Sequence, residues 1–164
     1  MKNINQLIER ADKLFREKRP EYYSQLQSGA DEKTLAHAEG YYRFPLPEAL
    51  RSLYRWKNGQ AVHCHESFTG IDNLSFMSLE EGTEAHRIFV ELERAGEFSA
   101  GWWDASWIPF LANGGGDHVC MEVRPDGRSA GLLWFFHDYE GRSQPDLYSI
   151  EVILEAAIEE MESS

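Results

Sequence analysis

The apolar residues change period twice along the chain, and that change limits the folds open to it. Ile4, Leu7, Ile8, Ala11, Leu14 and Phe15 fall on one face at 3.6 residues per turn. Between Trp107 and His137 the runs shorten and, from His118 to Val123, alternate: Val119, Met121 and Val123 against His118, Cys120 and Glu122. Helical spacing returns in Ile150, Ile153, Leu154, Ala157, Ile158 and Met161. Helices, then antiparallel strands, then a helix is an α+β order, not an alternating βαβ order. No repeat and no linker divides the sequence, so residues 1–164 are expected to form a single domain, opened by a helix over 3–19.

Local signals place the remaining elements. Pro20 lies just beyond the first helix. Asp31 caps a short helix carrying Leu35 and Ala38, which Gly40 interrupts. Pro45 and Pro47 cannot both sit inside a helix, because each removes a backbone donor. Pro47 suits the first turn of a helix that buries Leu50, Leu53 and Tyr54 and stops at Asn58-Gly59. Short strands are expected near Val62–Cys64 and Phe68–Ile71. Ser78 and Glu81 have the spacing of a capping box, opening a helix with Ala85, Ile88, Phe89, Leu92 and Ala95 on one face. Glu97–Ala105 reads as a surface loop holding Trp102 and Trp103. Pro109 marks Trp107–Leu111 as an edge strand. The segments His118–Val123 and Leu132–His137 form a hairpin, and Ser149 caps the final helix.

Charge narrows the partners. The net charge is −12, from 28 acidic and 16 basic residues. Nucleic-acid binders rely on Lys and Arg to neutralise phosphates, so this balance argues against one. It argues equally against docking on an anionic membrane. A protein partner with a basic surface is favoured, because opposite fields speed encounter. Glu151, Glu155 and Glu159 lie on the outer side of the last helix and are candidate contacts for it. Trp102 and Trp103 are candidates as well, since tryptophan is enriched at interface hot spots. The N-terminal segment lacks the apolar run of a signal peptide, and only Cys64 and Cys120 are present. A reducing cytoplasm is therefore the expected compartment.

Three groups invite a chemical reading, and a plainer reading fits each better. His63-Cys64-His65-Glu66 lacks the paired spacings of a zinc site. Asn113-Gly114-Gly115-Gly116 precedes a strand instead of a helix, so it makes a turn and not a phosphate cradle. Asp117, His118, His137 and Asp138 could form an acid–base set, but they fall at strand ends, where sheet-edge hydrogen bonding is commoner. No catalytic residue, no metal and no cofactor is expected.

Four motifs in order resemble the SUKH superfamily, the family of the fungal cell-wall-assembly regulator and its bacterial relatives. The first runs through Leu46, Pro47, Leu50 and Tyr54 to Asn58-Gly59. The second includes Trp107 and Pro109, and the third ends at Gly116-Asp117. The last is the strand to His137 with the acidic helix beyond it. The resemblance covers roughly residues 31–160. It implies an α+β domain with a mainly antiparallel, curved sheet and helices packed around it, without catalytic machinery. It further implies an immunity protein that neutralises a nuclease or deaminase toxin by direct binding, or else a regulatory scaffold like the fungal members. A small enzyme using His118, His137 and Asp117 is the remaining alternative.

Overall fold

The computed structural model describes residues 3–138, 142–143 and 149–164. Its elements follow the apolar periods. Helix α1 spans Ile4–Lys18, and the side chains of Asn3 and Gln6 cap its first turn reciprocally. Leu7, Ile8, Ala11, Leu14 and Phe15 are buried along it. Pro20 does more than stop this helix: it opens α2 (Pro20–Gln25), where its missing N–H costs nothing. Next come β1 (Leu26–Ser28), α3 (Glu32–Tyr42) and α4 (Glu48–Trp56). Asp31 caps α3, but Gly40 does not interrupt it. A lone exposed glycine costs a helix only about 1 kcal/mol, which packing of Leu35, Ala38 and Tyr42 outweighs.

The middle of the chain departs from the local reading. Helix α4 ends at Trp56, and Asn58-Gly59 is not its cap but the centre of β2 (Lys57–Gln60), antiparallel to β1. The expected strands at Val62–Cys64 and Phe68–Ile71 are absent. A turn replaces the first, and the second contributes one bridge, Thr69 to Leu74, beside a short 3-10 turn at Ile71–Asn73. The strand nearby is β3 (Ser75–Phe76). Helix α5 (Leu79–Arg94) has the expected capping box, yet its buried positions are Leu79, Gly82 and His86, while Ile88 faces outward.

The main sheet is wholly antiparallel, in the order β3-β4-β5-β6-β7, with β4 at Trp107–Ala112, β5 at His118–Val123, β6 at Ser129–Phe135 and β7 at Arg142–Ser143. Strand β4 is not an outright edge. Strand β3 pairs with its last two residues, Leu111 and Ala112, and leaves Pro109 beyond its reach. Register shifts between Pro109 and Leu111, and between Glu122 and Val123, bend these strands. His137 lies past the end of β6, in a turn. Helix α6 (Ile150–Glu162) begins at Ser149, whose hydroxyl accepts from the Val152 amide at 3.1 Å, and its apolar face packs against α1. The result is a single α+β domain.

Candidate interaction surface

The Asn58–Gly59 junction is a structural latch. The Asn58 side-chain oxygen accepts from the Leu79 amide at 2.8 Å, and its amide nitrogen donates to Glu80. Gln60 accepts from the Tyr22 hydroxyl at 2.6 Å and from the Phe76 amide at 2.9 Å. Tyr54, buried on α4, donates to the Met77 carbonyl at 2.8 Å. Leu46, Leu50 and Trp107 are buried, and Pro47 stands just before α4. These positions shape the scaffold.

Trp102 and Trp103, open in the sequence to a place in the core or at an interface, are both buried. They form a second small core with Trp107, Cys120, Leu133 and Phe135. Trp102 stacks on Phe98 at 4.1 Å and donates from Nε1 to the His137 carbonyl at 3.3 Å. Trp103 packs among His86, Phe89 and Phe135. Burying two large rings on a loop ties the Glu97–Ala105 segment to the sheet.

Of the four residues of the acid–base set, Asp117, His137 and Asp138 lie together and His118 lies outside the group. The Asp117 carboxylate accepts from the His137 backbone amide at 3.1 Å and lies 2.8 Å from His137 Nδ1, closing the β5–β6 end. Gly116, at φ 99°, lies against the same ring. Burial tends to raise the Asp117 pKa, but the His137 hydrogen bonds outweigh it and hold the carboxyl below its usual range. Asp117, His137 and Asp138 place ligand atoms within 4.8 Å of one another, with His137 and Asp138 exposed. Since one Asp117 oxygen already serves two His137 donors, the group acts first as a clasp.

His118 stands apart, buried, with Nδ1 3.2 Å from the Gly116 carbonyl. Burial pushes its pKa down to about 4, from 6.5. The unfolded chain takes up a proton near the higher value and the folded chain only near the lower. Stability is therefore expected to fall as pH drops between them, by about 2–3 kcal/mol from this group, with no further loss below the lower value. Urea denaturation from neutral pH down to about pH 4 measures this, and His118→Gln should flatten the slope. An unchanged slope in that variant would contradict the assignment.

The segment His63–Glu66 supplies no ligand cluster among the described residues. His63 and His65 are exposed, and the carbonyls of Cys64 and Glu66 accept from Gln60 Nε2.

The acidic helix gives the most coherent surface. Of the five glutamates on α6, two are used internally: Glu160 accepts from the Thr69 hydroxyl at 2.6 Å and the Gly70 amide at 3.0 Å, and Glu162 pairs with Arg10. Glu151, Glu155 and Glu159 remain, four residues apart on one stripe, and none forms an ion pair among the described residues. Glu155 and Glu159 are exposed, and Glu151 is half-buried.

Sequence reasoning missed the hydrogen-bonded pair of Tyr41 and His86, which meet from α3 and α5 at 2.8 Å. Their separation along the chain leaves no local signal, although a histidine within an apolar helical face hinted at a buried, partnered ring.

An antiparallel sheet flanked by helices defines a domain of α+β class. The family model described as SMI1 / KNR4 family (SUKH-1) matches residues 29–155, and the chain belongs to that family. No curated protein matches it. No helix among the described residues is long and apolar enough to cross a membrane.

Proposed function

We propose that this chain is a non-catalytic, cytoplasmic protein-binding domain of the immunity type, which neutralises a nuclease- or deaminase-type toxin by covering its basic working surface. The observation that carries the reading is the unpaired stripe of Glu151, Glu155 and Glu159 on α6. Three carboxylates that form no ion pair among the described residues project a field that a phosphate-binding toxin surface complements. Membership in the family supports a role exercised by contact. Trp102 and Trp103, being buried, take no part in this surface.

The test is co-purification with, and protection against, the toxin domain encoded by a neighbouring gene. A stable complex and restored growth are expected. Failure to form the complex with a folded, active toxin would overturn the proposal. Within that complex, the double reversal Glu155→Lys and Glu159→Lys should slow association about tenfold at low salt, with the difference shrinking as salt is added. Stopped-flow association rates report it. Equal rates for the two proteins would remove α6 from the interface.

A further inference from the structure

The cleft between the end of α3 and the outer side of α5 concentrates positive charge in an acidic protein. Tyr41, Arg43, His86, Arg87, Arg94 and one carboxylate, Glu91, line it, around a space of about 360 Å³. Arg87 is held by Glu84 at 2.5 Å and by Glu91 at 2.7 Å. The side chains of Arg43 and Arg94 form no ion pair or hydrogen bond among the described residues. Carboxylates outnumber basic side chains 28 to 16 in this chain, yet the cleft's own carboxylate, Glu91, is engaged by Arg87, and among the described residues neither Arg43 nor Arg94 has an ion-pair partner. Arg43 stands at the α3 C-cap in a left-handed conformation, φ 68°. Both guanidinium groups offer several donors and no acceptor.

The neutral component of the cleft has a fixed polarity. His86 Nε2 lies 2.9 Å from the Ala105 carbonyl oxygen, which can only accept, so Nε2 carries the proton. Burial holds the ring below its ordinary pKa and keeps it neutral. Nδ1 is therefore an acceptor, and the Tyr41 hydroxyl 2.8 Å away donates to it. With its proton committed, the Tyr41 oxygen can only accept from a ligand. The cleft thus matches an oxyanion that still carries a proton: charged oxygens for two arginines and one hydroxyl for Tyr41.

We propose that this cleft binds a protonated phosphate group, carried by a small phosphate ester or by a phosphorylated side chain, through Arg43, Arg94 and the Tyr41 oxygen. The site belongs to α3 and α5 and is independent of the toxin reading, which rests on α6.

Titration of the whole chain tests it through amide chemical shifts: inorganic phosphate against sulfate at matched ionic strength and slightly alkaline pH, where hydrogen phosphate and sulfate both carry two charges, and phosphate esters at slightly acid pH, where they keep a proton. Sulfate satisfies the arginines but brings no proton. Phosphate is therefore expected to bind about tenfold more tightly, as one added hydrogen bond would give. Tyr41→Phe should erase that preference while keeping sulfate binding, which also shows that the variant is folded. Arg43→Ala and Arg94→Ala should each weaken both ions by about tenfold or more. A phosphoserine peptide that binds more tightly than inorganic phosphate assigns the site to a modified side chain, and equal affinities assign it to small esters. The proposal is overturned if phosphate gives no saturable shifts around Tyr41, Arg43 and Arg94. Equal affinity for phosphate and sulfate in the unmodified protein overturns it too, as does undiminished binding by either arginine variant.

Discussion

Gly59→Ala is expected to lower the unfolding free energy by about 3–5 kcal/mol, a loss reserved for substitutions that violate the backbone or the packing outright. Gly59 has φ 76°, a region that costs an ordinary L-residue about 1–2 kcal/mol. Space compounds the strain. A Cβ at this position would stand 2.4 Å from the Ser78 amide nitrogen and 2.6 Å from the Met77 carbonyl carbon. Both are backbone atoms and cannot rotate away. The strand β2 would have to part from the segment that starts α5, breaking the Asn58 bond to the Leu79 amide and the Gln60 bond to the Phe76 amide. Chemical denaturation of the variant beside the parent provides the measurement. A loss under about 1 kcal/mol would mean that this close approach does not exist in solution.

Phe15→Ala is expected to cost a similar amount, about 3–5 kcal/mol, through the cavity it leaves. Phe15 is fully buried. Its ring meets Phe68 at 5.2 Å, Tyr22 at 5.6 Å and Trp56 at 6.0 Å, joining four separate parts of the chain. Arg19 lies over it and over Tyr22, so the aromatic cluster also holds a cation. The family match begins at residue 29, after α1. If α1 were an appendage, the substitution would leave the thermal transition of the remainder intact. The burial of Phe15 instead requires one cooperative transition at lower temperature, which calorimetry distinguishes.

What could be read from the sequence follows the range of the interactions involved. Helices α1, α5 and α6 were legible because their apolar stripes and their caps at Ser78 and Ser149 are local. The β5–β6 hairpin was legible for the same reason, an alternating strand and a nearly continuous apolar one on either side of the Pro125-Asp126-Gly127 turn. Strand β2 was not, because Lys57–Gln60 is extended by pairing with Leu26–Ser28, a segment remote in sequence. The same limit applied to the tryptophans. Loop position suggested exposure, but Trp103 finds its neighbours on α5 and β6, and only three-dimensional packing brings them there. On the candidate surface, the outward glutamates of α6 were visible from periodicity. That Glu160 and Glu162 are already engaged, which leaves Glu151, Glu155 and Glu159 unmatched, depends on Thr69, Gly70 and Arg10 and could not be seen along the helix itself.

The pairing of α1 with α6 sets an order on biogenesis. A ribosome delivers Leu7, Ala11 and Leu14 long before Ile153, Leu154 and Ala157. For that interval the first helix has α2 and α4 to lie against but lacks its most extensive companion. Until α6 follows, the nascent chain therefore carries a sticky apolar strip, a natural substrate for chaperones, and its tertiary structure closes only once that helix is available.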